Sequence, residues 1–361
     1  MVKRLGISLL MMWILTGCTF IPTNIVNEIS LIQGVGYDFV NDKDVKGTIV
    51  FPIYKKDKSS ETEVKSAIGE SSKDIRTKLN NETRSRLVSG QLRLALYGKD
   101  LAKYGINDYV DTINRDPSIG SLIQMAIVDG DTNELLNSKK YQNENISLYL
   151  QEMLDQNMEF GQIPQTNLQS FLFQLFQEGQ DPYLPIIKNV EENIKITGLA
   201  IFDYDKYVTY LPEEDVYIFK SLVETHKSNG MHTFNFETGD KVILETLKSE
   251  PDYKISFEND KPKFSITLKM KTRLQEFAPT KEKRQSFNKE KYQLKVEKEI
   301  EKKAIKIISQ FKEYDVDPLG LEAKYREKYR KYNEKQWKTY YKDLNVSVKA
   351  NVQILQTGTI D

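Results

Sequence analysis

Apolar and polar residues alternate most cleanly over residues 91–96, where Leu92, Leu94 and Leu96 take one side and Gln91, Arg93 and Ala95 the other, which predicts a strand. The same period of two recurs at Ile194, Ile196, Ala200 and Phe202, at Phe264, Ile266, Leu268 and Met270, and at Val346, Val348, Ala350, Val352 and Ile354. Residues 29–38 and 45–53 flank the polar turn Asn41-Asp42-Lys43-Asp44 and read as a hairpin. Residues 253–257 pair in the same way with the 264–270 strand, and residues 121–128 read as a buried strand. Helical spacing marks 146–157, 167–177, 213–225 and 100–114, although Gly105 weakens the last of these. It is plainest at 294–311, where Val296, Ile300, Ala304, Ile307, Ile308 and Phe311 form a stripe and residues 297–306 supply the solvated face. Residues 63–87, mostly polar with Val64, Ala67, Ile68, Ile75, Leu79 and Leu87 spaced among them, read as a long exposed helix.

Two prolines, a glycine and polar residues cluster in Glu178-Gly179-Gln180-Asp181-Pro182-Tyr183-Leu184-Pro185, which places a boundary between an N-terminal region, 28–185, and a C-terminal one, 186–361. Asp317-Pro318-Leu319-Gly320 breaks the C-terminal helices, and a second helix runs on to Trp337. The expected fold is α+β, about three modules of mixed or antiparallel sheets with packed helices, the N-terminal region holding one or two of them.

The start of the chain has a different pattern. Lys3 and Arg4 precede an apolar run over residues 5–15, and Leu15-Thr16-Gly17-Cys18 ends it. That order reads as an exported lipoprotein precursor: residues 1–17 form the signal peptide, cleavage falls between Gly17 and Cys18, and residues 18–27 are a lipidated spacer. The apolar run is about half the ~20 residues that span a bilayer. Cys18 would carry a diacylglyceryl group on sulfur and an acyl chain on its new amino terminus, and two or more chains anchor stably where one is marginal. No other cysteine exists, so no disulfide is available.

Charge then narrows the function classes. With 52 basic and 52 acidic residues and a mean hydropathy of −0.54, the chain lacks the basic excess of a nucleic-acid binder, and no later apolar run approaches membrane length. Its two histidines, His226 and His232, have no metal-ligand spacing and read as surface residues. Asp38, Asp42 and Asp44 crowd a turn without the glycine and closing glutamate of a calcium loop. Gly34-Val35-Gly36 lacks the third glycine of a dinucleotide loop and reads as close packing or a bulge, and no serine-nucleophile elbow appears. Asp203 and Asp205 read as turn carboxylates. No catalytic residue, metal or cofactor site is expected, so the chain is read as non-enzymatic.

Taken in order along the chain, several segments resemble the Ger(x)C spore germination lipoproteins, the C subunits of nutrient germinant receptors. The resemblance is carried by Cys18, by Gly34-Val35-Gly36-Tyr37-Asp38, by Tyr97-Gly98-Lys99-Asp100-Leu101-Ala102 with Gly105, and by Arg115-Asp116-Pro117. It continues through Gly198-Leu199-Ala200-Ile201-Phe202, Asp205-Lys206-Tyr207 and Leu211, then residues 302–320, Trp337 and the terminal strand to Thr357-Gly358. Thr19 departs from the Trp that many members carry there. The resemblance implies a subunit on the outer face of the spore inner membrane, assembled with two integral membrane subunits, one A-type and one B-type. Tyr325, Tyr329 and Trp337 are then candidates for a partner surface, or else pack their helix onto its own sheet. The alternative class is an extracytoplasmic solute-binding lipoprotein of a transporter, which would need two α/β lobes around a cleft.

Overall fold

The computed structural model describes residues 29–54, 60–141, 144–191, 193–258, 261–280, 286–329 and 332–355. The expected signal peptide, Gly17, Cys18 and the spacer 18–27 lie outside these residues. Near its start the described chain forms β1 (Ile29–Leu31), β2 (Gly34–Phe39), β3 (Val45–Tyr54) and β4 (Ser60–Gly69), then α1 (Ser72–Asn80), β5 (Arg86–Val88) and β6 (Leu94–Gly98). Next come α2 (Lys99–Tyr104), α3 (Asn107–Asn114), β7 (Gln124–Val128), α4 (Thr132–Leu136), α5 (Ile146–Glu159) and α6 (Leu168–Phe176). Strands β8 (Tyr183–Val190), β9 (Asn193–Asp203) and β10 (Lys206–Pro212) lead to α7 (Glu213–Val223). The remainder is β11 (Met231–Asn235), β12 (Lys241–Glu258), β13 (Lys261–Ala278), α8 (Lys289–Glu313), α9 (Leu321–Lys328), α10 (Glu334–Tyr341) and β14 (Asn345–Leu355).

Eight strands form one sheet in the order β10-β9-β8-β7-β6-β2-β3-β4, whose middle strands β8, β7, β6 and β2 run parallel. A parallel sheet needs cover on both faces. Leu94 and Leu96 accordingly join one core with residues of α4, α5 and α7, while Ala95 and Tyr97 join a second with residues of α1, α2, α3 and α6. Period-two spacing thus located β6 but not its burial, because its second face is apolar as well. In β9 the faces exchange partway. Ile194 belongs to the first core whereas Ala200 and Phe202 belong to the second, and the register slips opposite Ile186 and Ile187. Gly198 lies at that slip with φ +154°, and a Cβ there would sit 2.1 Å from the Leu211 carbonyl oxygen, so only glycine fits.

Two expected helices are corrected by tertiary pairing. The long helix over 63–87 is instead strand β4, helix α1 and strand β5. Val64 pairs with Val50 and Ala67 with Gly47 across β3 and β4. A polar helix with a sparse apolar stripe has little packing to hold it, whereas this edge strand gains a ladder and keeps Glu63 and Lys65 on its rim. Ser71 then starts α1 by accepting from the Asp74 amide at 3.2 Å. The helix over 100–114 divides into α2 and α3 at Gly105, whose φ is +136°. There Asp205 accepts from the Asn107 amide at 3.0 Å and its carbonyl accepts from Ile106, which fixes the second helix against the β9–β10 turn.

The second sheet, β11-β12-β13-β14, is built on the long β12–β13 hairpin, with β14 parallel to β13 as expected of a strand that returns after helices. Its apolar face lies on the α8 stripe. Glu301 and Glu297, read as solvated, instead accept from the Ala350 and Val352 amides at 2.9 Å each, closing the β14 edge. Phe219 of α7 meets Phe311 of α8 edge-on at 5.7 Å, so one core runs from the large sheet into the small one. The division expected at 185/186 falls inside β8, whose pairing continues through it. The α+β class holds, with three sheets among the described residues.

Candidate functional site

The aromatic residues singled out in the sequence converge where α9 and α10 close over the β12–β13 hairpin. Asn333 accepts from the Gln336 amide and starts α10, whose inward side presents Trp337 and Tyr341. Trp337 is only 3% exposed and meets Phe264 at 6.2 Å, Tyr325 at 5.4 Å and Tyr341 at 6.0 Å between ring centres. Tyr325 and Tyr329 are half-buried around Phe257, the latter edge-on at 4.9 Å. The three candidates therefore form one cluster, packed onto their own sheet. What it offers outward is the half-exposed ring of Phe257 and the outer edges of the two tyrosines.

Beside this cluster lies a pair of carboxyls that spacing alone did not reveal. Asp317, in the turn after α8, is buried, and the Asp181 carboxylate accepts from its amide at 2.6 Å. The Asp317 carboxylate itself accepts from the Glu322 amide at 2.8 Å. Burial pushes Asp317 up to about 7, with the charge of Asp181 adding to it, and burial pushes Asp181 up to about 6. Asp181 precedes β8 and Asp317 follows α8, so the pair ties the large sheet to the C-terminal helices. The only sequence signal was that each stands directly before a proline in a break between elements.

Asp38, the two glycines and Asp44, also weighed for chemistry, have structural partners. Asp38 is buried and accepts from the Thr132 amide at 2.8 Å, the Thr132 hydroxyl at 2.7 Å and the Asn133 amide at 3.2 Å, so it holds the start of α4 rather than a cation. Replacing Asp38 with alanine would strand these donors, and we expect a loss of about 2–3 kcal/mol in urea unfolding. Gly34 and Gly36 are close-packing glycines, since a Cβ would meet the Ser147 hydroxyl at 2.2 Å and the Thr132 hydroxyl at 2.4 Å. Asp44 accepts from the Asn41 amide group in the hairpin turn.

Neither histidine is fully exposed, His226 being buried and His232 half-buried. His226 is buried beside Ser228, and His232 stacks on Tyr217 at 4.4 Å. Burial pushes both down to about 4, helped by the charges of Lys220 and Lys303 respectively. Among the described residues no group of three or more His, Cys, Asp or Glu side chains is placed to hold a metal, and no helix is long and apolar enough to cross a membrane.

Comparison with known proteins gives consistent matches over both regions. Residues 22–189 match the family described as spore germination protein N-terminal domain, and residues 197–358 match spore germination B3/GerAC like, C-terminal. Spore germination protein GerQC of Bacillus cereus is 31% identical over 361 residues, covering 99% of this chain and 100% of that protein. The putative spore germination protein YfkR of Bacillus subtilis (strain 168) is 22% identical over 308 residues, 82% of this chain and 79% of that one. The crystal structure of the GerBC protein shares the fold at 16% identity, with a TM-score of 0.59 over 89% of this chain and 97% of that one.

Proposed function

Because the chain belongs to the Ger(x)C family of spore germination proteins, we propose that it is the lipid-anchored C subunit of a nutrient germinant receptor. It acts without catalysis, by assembling with an A-type and a B-type integral membrane subunit at the outer face of the spore inner membrane. The observation that carries this reading is the match of both regions, in order, to spore germination families, together with Leu15-Thr16-Gly17-Cys18 at the end of an apolar run. Anchoring through Cys18 confines the domains to two dimensions and raises their effective concentration beside the membrane subunits, so interfaces of modest affinity suffice. The buried pairings of Asp38, Asp181 and Asp317 fit a rigid scaffold that works through its surfaces. The solute-binder alternative requires two lobes about a cleft, whereas here eight strands pass as one sheet through the expected division.

The test is affinity purification of the tagged full chain from detergent-solubilised spore membranes, with mass spectrometry of the recovered proteins. Two multispanning germination subunits are expected. A permease with an ATPase in their place would sink the receptor reading and favour the solute binder. Cys18→Ala is expected to move the protein out of the acylated membrane fraction, at least tenfold by immunoblot. Unchanged retention together with an unacylated wild-type N-terminal peptide would remove the lipid anchor from the reading.

A further inference from the structure

Helix α6, Leu-Gln-Ser-Phe-Leu-Phe-Gln-Leu-Phe, is apolar on more than one face. Leu168, Phe171 and Leu175 are buried in the second core, with Phe171 edge-on to Phe202 at 5.5 Å. A helix with that one stripe buried should be polar elsewhere. Instead Phe173 and Phe176 are 63% and 62% exposed. Leu122, 68% exposed, flanks the first turn, because its neighbours' carbonyls at Ser121 and Ile123 accept from the Gln169 and Leu168 amides. The shallow hollow on this face is lined by Leu172, Phe173, Phe176 and the amide side chains of Asn114, Gln169 and Gln177, without a charged group, although 29% of the chain is charged. Of the charges just beyond it, Glu178 is paired with Arg326 and Arg115 projects into solvent beside Asp111.

The position of this face indicates its occupant. The starts of β2, β6 and β7 lie side by side, Gly34 against Leu94 and Leu94 against Gln124, so Ile29 and Leu122 enter the fold at the same end of the sheet. Cys18 stands eleven residues before Ile29, a covalent reach of at most about 40 Å. That end of the molecule therefore stays within about 40 Å of whatever surface carries the lipid.

We propose that Leu122, Phe173 and Phe176 form a membrane-contacting face that seats this end of the large sheet on the lipid surface next to the anchor. This rests on the reading of Cys18 as acylated. The contact gives the domain a fixed orientation, because a lipid tether alone leaves it free to turn, whereas aromatic and leucine side chains on an uncharged face settle at the headgroup boundary. The opposite end of the sheet, with the start of α4, then points away from the bilayer.

The acylated full chain, carrying Phe173→Cys or Phe176→Cys labelled with an environment-sensitive fluorophore, tests this in phosphatidylglycerol–phosphatidylethanolamine vesicles containing doxyl-labelled lipid. Tyr210→Cys, at an exposed site on β10, is the control. Quenching at 173 and 176 is expected to exceed that at 210 at least twofold. Mass spectrometry of the N-terminal peptide separates the two ways of failing. Unmodified Cys18 removes the anchor on which the proposal rests. Acylated Cys18 with equal quenching at all three sites removes the α6 contact alone and leaves the face to a protein partner.

Discussion

Replacing Trp337 with alanine is expected to lower the folding free energy by about 3–5 kcal/mol, the usual cost of deleting a buried tryptophan. The ring is closed off on its inner side by Phe264 of β13 and on its flanks by Tyr325 and Tyr341, and the shell around it cannot collapse without moving α10 off the sheet. Tyr329→Ala should cost about 1–2 kcal/mol or less, since that ring is half-exposed and its hydroxyl makes only a long contact, 3.5 Å, to the Ile255 carbonyl. Urea titration followed by circular dichroism checks both values. The comparison also separates packing from partner recognition. A variant at Trp337 that is nearly as stable as the parent, yet fails to recover the membrane subunits, would make the ring a contact residue. A large loss of stability with Tyr329→Ala assembling normally would assign the whole cluster to the fold.

Elements whose local pattern agrees with their final environment were legible from the sequence. The α8 stripe from Val296 to Phe311, the alternation from Val346 to Ile354 and the hairpin through Asn41–Asp44 all bury the faces that their periods mark. Elements decided by long-range pairing were not. Residues of β4 are too polar to read as a strand until β3 lies beside them, and the exchange of faces in β9 depends on a register slip against β8. Glu297 and Glu301 have the composition of a solvated helix face, and only the arrival of β14 turns them into acceptors for its edge amides.

For the site, residue type was a better guide than burial. The aromatic cluster was visible as Tyr325, Tyr329 and Trp337 at helical spacing, but its orientation was open until Phe257 and Phe264 were placed beneath it. Asp38 stands near Asp42 and Asp44 in the local sequence, whereas its partners Thr132 and Asn133 lie more than ninety residues away. A helix end and a strand start are usually exposed, but here each histidine is covered by a neighbouring element, His232 by Tyr217 of α7. The Asp181–Asp317 pair spans 136 positions, beyond any local pattern.

That pair sets the second large effect, a loss of the stability it contributes as pH rises from about 4 to about 7. In the unfolded chain both carboxyls release their protons near pH ~4. In the folded chain burial holds Asp181 protonated to about 6 and Asp317 to about 7. The folded state therefore binds more protons across this window, so the stability contributed by the protonated pair is full below the unfolded value and is lost as pH rises through 6 and 7. Lys324, beside Asp317 and donating to the Leu319 carbonyl at 2.7 Å, reduces the loss without cancelling it. The two histidines, His226 buried and His232 half-buried, act in the opposite sense: their folded values of about 4 lie below the ordinary 6.5, so what they contribute is present above 6.5 and lost as pH falls through 4. The two windows overlap between pH ~4 and 6.5, where the histidines offset the carboxyls, so the effect of the pair is isolated by comparing the parent with a variant. Asp317→Asn removes its share of this loss while its amide oxygen still accepts from the Glu322 amide. The variant is expected to match the parent at about pH 4 and to exceed it by about 4 kcal/mol at about pH 8 in urea unfolding. Parallel profiles for the two proteins would show that Asp317 is ionised in the folded state throughout, with its charge compensated by Lys324.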